Sequence, residues 1–143
     1  MTAFIKMYSA FKTNCTVVEN EIELQEIGAK LGLSPRILKH YENDFIYYIE
    51  MEKINGMTLA DYYGEKMSDL PPSILAEVKR ILKTLLHNGI QFIDVTPYNF
   101  MIETETERIY IIDYEHATRI HINWYIKEFI LEDSYNEWNP DFK

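Results

Sequence analysis

The chain carries one cysteine, Cys15, in 143 residues. A lone thiol closes no internal disulfide and builds no cysteine metal cluster, and it fits a reducing compartment. Cys15 itself reads as a packed or loop thiol. Basic residues are also scarce, with 14 Lys and Arg against 23 Asp and Glu and a net charge of −9. No Lys/Arg run offsets that balance, which disfavours nucleic-acid backbones and anionic membranes as partners. Apolar runs are short, and none approaches the ~20 residues needed to cross a bilayer as a helix. Lys6 and Lys12 interrupt the N-terminal apolar residues, so no signal peptide is expected. There is no internal repeat, low-complexity tract or long linker. Together these features lead us to expect a cytoplasmic protein with neither nucleic-acid nor membrane partners.

Apolar residues make up 47% of the chain and aromatics 14%, which argues for a packed core rather than disorder. The length suits one domain. The chain is organised around Ile90 to Ala117, IQFIDVTPYNFMIETETERIYIIDYEHA. Two short apolar strands, roughly Asn99 to Glu103 and Arg108 to Asp113, flank a polar turn. Asp94 and Asn99 are five apart and Asp113 lies fourteen beyond Asn99. A hairpin of that length can fold Asp113 back beside Asn99, so two carboxylates and an amide converge at one end of a sheet. Hard oxygen ligands of this kind suit Mg²⁺ with phosphates. A further polar group free of metal could orient a nucleophile. The plainer alternative is a buried hairpin with polar ends.

The other segments read as follows. Thr2 to Tyr8 is a short strand holding Lys6, which alone reads as an edge lysine. Thr16-Val17-Val18-Glu19 has the form of a capping box, opening a helix to about Leu31 that Gly32 and Pro35 stop. Arg36 to Tyr41 and Asp44 to Glu52 form a hairpin with its turn at Glu42-Asn43-Asp44. Thr58 caps a short helix. Met67 to Pro71 is a loop, and Pro72 begins a helix with an apolar stripe at Ile74, Leu75, Val78, Ile81, Leu82, Leu85 and Leu86, ended by Asn88-Gly89. A last helix falls within His121 to Glu132, burying some of Ile122, Trp124, Ile126, Phe129 and Ile130, and Trp138 and Phe142 dock back on the body. His116 and His121 have no nearby cysteine or H-x-x-x-H partner and read as satisfied or exposed histidines.

Phe92-Ile93-Asp94-Val95, then Asn99, then Asp113-Tyr114-Glu115 resemble the catalytic loop and metal-binding hairpin of the protein-kinase-like superfamily, H-R-D-L-x-x-x-N followed by D-F-G. Pro97 stands where D-L-K-P-E-N has its proline. The resemblance implies a truncated bilobal α+β fold: a small antiparallel sheet with its helix C in 1–52, a hinge in 53–57, and a reduced helical lobe with the catalytic hairpin in 58–143. It implies that Lys6 holds ATP phosphates and pairs with Glu21, with Glu23 as second choice. Met51 falls at the gatekeeper, the backbone of Glu52 and Ile54 would meet adenine, and Asn55 would approach the ribose. Asn99 and Asp113 would ligate Mg²⁺, and Asp94 would orient the acceptor hydroxyl.

The departures are equally specific. Five residues precede Lys6, so no Gly-rich phosphate hairpin is expected, and a protein partner or a second copy would supply that lid. Phe92 and Ile93 replace histidine and arginine. The D-Y-E form resembles choline-kinase-like and aminoglycoside-phosphotransferase-like proteins, and Thr96 resembles the small kinase of the KEOPS complex. MEKINGMTLADYYG, DVTPYNFMI and WNPDF are similar to short kinase-like proteins of large DNA viruses, which would add host cytoplasm or virion as locations. The implied function is an ATP- and Mg²⁺-binding phosphotransferase or weak ATPase acting on a protein or small-molecule hydroxyl. The alternative is a pseudokinase acting as a regulatory or virion-associated binding module.

Overall fold

The computed structural model of the protein describes residues 3–119 and 121–142. Strands β1 (Ala3–Ser9), β2 (Ile37–Asn43) and β3 (Ile46–Glu52) form an antiparallel sheet in the order β1-β3-β2. Thr2, expected to open the first strand, lies outside the described residues. The turn of the β2–β3 hairpin sits later than the sequence suggested. Asn43 stays in the ladder opposite Ile46, and Asp44 and Phe45 make the turn with φ of 51° and 62°. Two consecutive left-handed residues match the twist of the flanking strands. Aspartate adopts that conformation readily; Phe45 is held in it with its ring 5.3 Å from that of Phe11.

Helix α1 spans Cys15–Lys30. Its cap is Asn14, not Thr16: Asn14 is extended and its side chain accepts from the Val17 N–H at 3.1 Å. Asparagine is as good a cap as threonine, and starting at Cys15 places Thr16 inside the first turn. The helix closes with paired bonds from Gly32 N–H to the Ala29 carbonyl and from Leu33 N–H to the Gly28 carbonyl, and Gly32 supplies the positive φ of 76° that this closure requires. Val18 and Ile22 pack with Ile49 and Met51 of the first sheet, whereas Leu24 belongs to the main core. Helix α1 therefore joins two apolar clusters.

Strand β4 (Gly56–Thr58), β5 (Phe100–Glu103) and β6 (Ile109–Ile111) form a second antiparallel sheet in that order. Gly56, within the stretch 53–57, opens β4 and pairs with Glu103. Thr58 caps α2 (Leu59–Tyr62), accepting from the Asp61 N–H at 3.1 Å. A 3₁₀ turn at Met67–Asp69 occupies the expected loop. Helix α3 (Pro72–His87) buries Val78, Ile81, Leu82 and Leu85. The final helix, α4 (Trp124–Ile126), runs on as a π-helical turn over Lys127–Leu131. It buries Tyr125, Ile126, Phe129 and Ile130, but Ile122 and Trp124 are exposed, because Asn123 caps the helix and sets its inward face one residue on. The chain is an α+β protein of small antiparallel sheets and a few helices. Among the described residues no helix is long and apolar enough to cross a membrane.

The position of the α1 cap can be tested. Asn14→Ala should lower unfolding stability in urea by about 1 kcal/mol, and Thr16→Ala by only a few tenths. The reverse order would put the cap back at Thr16.

Candidate functional site

Lys6 lies on β1, Glu21 on α1 and Asp113 just beyond β6. Lys6 Nζ is 2.9 Å from Glu21 Oε2 and 3.0 Å from Asp113 Oδ1. Of the two glutamates weighed as its partner, Glu21 is buried at 1% exposure, while Glu23 is exposed and pairs with Arg119 at 3.3 Å. A buried carboxylate is costly unless its oxygens are met. Here Oε2 takes Lys6 and Oε1 accepts the Tyr8 hydroxyl at 2.5 Å. Burial works to lower the Lys6 pKa, but the charges of Glu21 and Asp113 outweigh it and hold the ammonium above its ordinary value. Burial pushes the Glu21 carboxyl up against the opposing charge of Lys6. The Tyr8 phenol is held neutral, first by burial and then by its bond to Glu21.

Asp113 is fixed from behind. Its Oδ1 also accepts the Glu115 N–H at 3.0 Å. The next residue, Tyr114, is fully buried, its hydroxyl bonded to Ser34 and its ring 5.5 Å from that of Phe92, edge to face. That hydroxyl sits over Gly28 of α1, where an added Cβ would lie 2.1 Å from it. The glycine thus lets Tyr114 reach under the helix, and the helix carrying Glu21 is packed on the residue that follows Asp113.

The segment Phe92 to Asn99 is a loop held by short bonds. Val95 N–H meets the Ile93 carbonyl at 2.8 Å, Thr96 N–H the Asp94 carbonyl at 3.1 Å, and Asn99 N–H the Thr96 carbonyl at 3.2 Å. The Asn99 amide nitrogen donates to the Asp94 carbonyl at 2.9 Å, and the Asn99 carbonyl accepts from Ile112 N–H at 3.1 Å. The last bond ties the loop to the chain entering Asp113. Burial raises the pKa of Asp94; His116 opposes this and the negative Asp113 adds to it.

A cavity of about 500 Å³ opens between the two sheets. Lys6, Met51, Glu52, Ile54, Asn99 and Asp113 line it together, and Phe4, Pro35, Met101 and Ile112 add apolar walls. Its size falls in the ordinary range for small-molecule sites. Asp94 does not line the cavity, and Asn55 lies in a neighbouring shallow groove with Lys53, Thr104 and Glu105. Gln25 Nε2, bonded to the Pro35 carbonyl at 3.1 Å, meets Met51 Sδ at 3.4 Å and so steadies the cavity's inner end. Among the described residues no cluster of three or more His, Cys, Asp or Glu side chains is placed to hold a metal alone.

Sequence reasoning missed Tyr8, Gly28 and Ser34. Tyr8 had a signal, since strand alternation puts it on the same face as Lys6. Gly28 had one too, as a glycine inside a helical pattern. Ser34 had none.

No protein-family model matches the chain. A search of curated proteins finds it similar to the serine/threonine-protein kinase PrkC of Bacillus subtilis, 33% identical over 92 residues. That match covers 60% of this chain but only 14% of the relative. It supports a kinase relationship at most, and as a bacterial protein PrkC adds nothing to the likeness to viral proteins.

Gly28→Ala should destabilise the protein by about 1–3 kcal/mol through overpacking. Adding Tyr114→Phe, which removes the nearest clashing atom but leaves Ser34 Oγ at 2.8 Å and the ring carbon at 2.9 Å, should recover part of that loss in urea unfolding. Purely additive losses would mean that Gly28 and Tyr114 do not press on one another.

Proposed function

We propose that the chain is a minimal kinase-like protein that binds Mg²⁺ and ATP in the cavity and transfers phosphate to a hydroxyl of a protein or small molecule. The fold would be a truncated bilobal kinase-like one, with lobes in 1–52 and 58–143 and the connection at 53–57. The observation carrying this reading is Lys6, bridging Glu21 and Asp113 in the wall of a cavity that Asn99 also lines. The similarity to a protein kinase supports it.

The donor set fits the cofactors. Mg²⁺ favours one or two carboxylates with the remaining sites taken by phosphates and water, and Asp113 with the amide oxygen of Asn99 supplies such a partial shell. With its nitrogen committed to the Asp94 carbonyl, Asn99 has its oxygen for the cation. Bound Mg²⁺ and ATP would supply the transferable phosphoryl group and neutralise its charge. Lys6 would release Asp113 and hold non-transferred phosphates while keeping Glu21. Met51 and Ile54 would cover the base, with backbone groups of Glu52 and Ile54 at its edge. Asp94, outside the cavity and between His116 and Asp113 in charge, would orient the acceptor hydroxyl and take its proton. Asn55 would meet the ribose only if the groove beside the cavity opens to it.

A second reading, a pseudokinase, is favoured by the Lys6–Asp113 pair itself, which neutralises the carboxylate that a cation needs. In either reading the exposed Phe4, Ile5 and Met7 on β1, an edge strand, suit cover by a partner or a second copy.

Thermal melting separates the two. Mg²⁺-ATP at about a hundred times its Kd should stabilise the wild type by roughly 2.7 kcal/mol, and Asp113→Ala should lose the Mg²⁺-dependent part. Asp94→Asn should keep that shift and lose phosphate release by ~10²-fold or more. Equal hydrolysis by wild type and Asp94→Asn, with both binding nucleotide, would favour the pseudokinase.

The pH profile gives a separate check. Asp94 acts as a carboxylate, and its pKa is raised. Turnover should therefore fall as pH drops through a value above the ordinary aspartate 3.8. Removing the opposing charge with His116→Ala should move that limb to higher pH, measured as kcat against pH. A limb that stays put would disconnect Asp94 from turnover.

A further inference from the structure

We propose that Asn139 is a positioning residue for Asp94, holding the backbone on both sides of it; the inference rests on the role given to Asp94 above. Asn139 sits in the tail beyond α4 and is buried at 1% exposure. Its amide nitrogen donates to the Ile93 carbonyl at 2.7 Å, and its backbone N–H donates to the Val95 carbonyl at 3.0 Å. One residue thus binds the carbonyls directly before and after Asp94. The carbonyl of Asp94 itself accepts from Asn99 Nδ2. With three successive peptide planes tied down, the backbone that carries the Asp94 side chain is held in place.

The tail presents Asn139 from anchors that do not depend on this contact. The Tyr125 hydroxyl donates to the Glu137 carbonyl at 2.6 Å, and the Trp124 indole N–H to Asp141 at 2.9 Å. The Trp138 ring lies 6.4 Å from that of Phe100. The Asn139 side-chain oxygen is used as well, accepting the Asp141 N–H at 3.0 Å, which fixes the orientation of the amide so that its nitrogen faces the loop. Phe142, from the same turn, places its ring 5.2 Å from His116, the group whose charge acts on Asp94. A buried asparagine serving packing alone would not need a side-chain and a backbone N–H on the two peptides that flank one carboxylate.

The experiment compares the wild-type chain with Asn139→Leu, which keeps the branched side-chain shape without its hydrogen-bonding groups, and Asn139→Ala. Amide hydrogen exchange at Val95 and Thr96 is read against Ile81 and Leu82 in α3, together with kcat and the KM for Mg²⁺-ATP. Loss of the side-chain bond to Ile93, with the backbone bond to Val95 left in place, should speed exchange at Val95 and Thr96 by about tenfold or more while the α3 amides keep their protection. In an active protein kcat should fall by roughly tenfold, with KM within about twofold of wild type. Unchanged exchange at Val95 and Thr96 in both variants would overturn the proposal. So would faster exchange spread equally through α3, or unchanged kcat in an active protein whose loop has loosened. If the wild type shows no turnover, the phosphotransfer reading fails on its own, and a local rise in exchange still upholds Asn139 as the brace of the Asp94 backbone.

Discussion

The buried carboxylate of Glu21 constrains much of this structure. An ionised group at that depth is tolerated only with its oxygens met, and the partners come from elsewhere in the chain: Lys6 and Tyr8 from β1. Lys6 then reaches on to Asp113. Three segments distant in sequence are thereby brought to one place. Removing Lys6 would leave Glu21 buried and unpaired as well as freeing Asp113, so the ion pair organises the fold and the cavity together.

Helix α1 transmits this arrangement. One face packs on the first sheet through Val18 and Ile22, and Leu24 enters the core of the second part. Gly28 admits the Tyr114 hydroxyl beneath the helix. The consequence is mechanical: a shift of α1 would move Glu21 and press on Tyr114, and Asp113 is adjacent to Tyr114. The loop carrying Asp94 is braced separately, through Asn99 at the edge of β5 and Asn139 from the tail. The Lys6–Glu21–Asp113 contacts hold the cavity wall electrostatically, and amide hydrogen bonds to backbone carbonyls hold the neighbouring Asp94 loop.

Much of this was legible in the sequence where local chemistry dictates structure. The α3 stripe, the Thr58 cap and the β5–β6 hairpin follow from periodicity and capping; of the three polar residues whose spacing suggested that they would converge, Asn99 and Asp113 line the cavity and Asp94 lies outside it. Boundaries were less legible. Asn14 and Thr16 are both competent caps, and only the packing of α1 chooses between them. The Asp44-Phe45 turn was hidden because phenylalanine is an unusual left-handed residue. The hydrogen bonds of Tyr114 with Ser34 and of Asn139 with Ile93 join residues far apart in the chain, and no local pattern marks these pairings.

Backbone amide chemical shifts during a titration with Mg²⁺-ATP address the cavity most directly. The expected result is movement confined to Lys6, Met51 to Ile54, Asn99 and the Asp113–Glu115 turn, while a second groove, lined by Cys15 and Glu19 of α1 and Tyr47 of β3, stays unmoved. Movement centred on that second groove, or none at millimolar nucleotide, would contradict the assignment of the cavity as a nucleotide site.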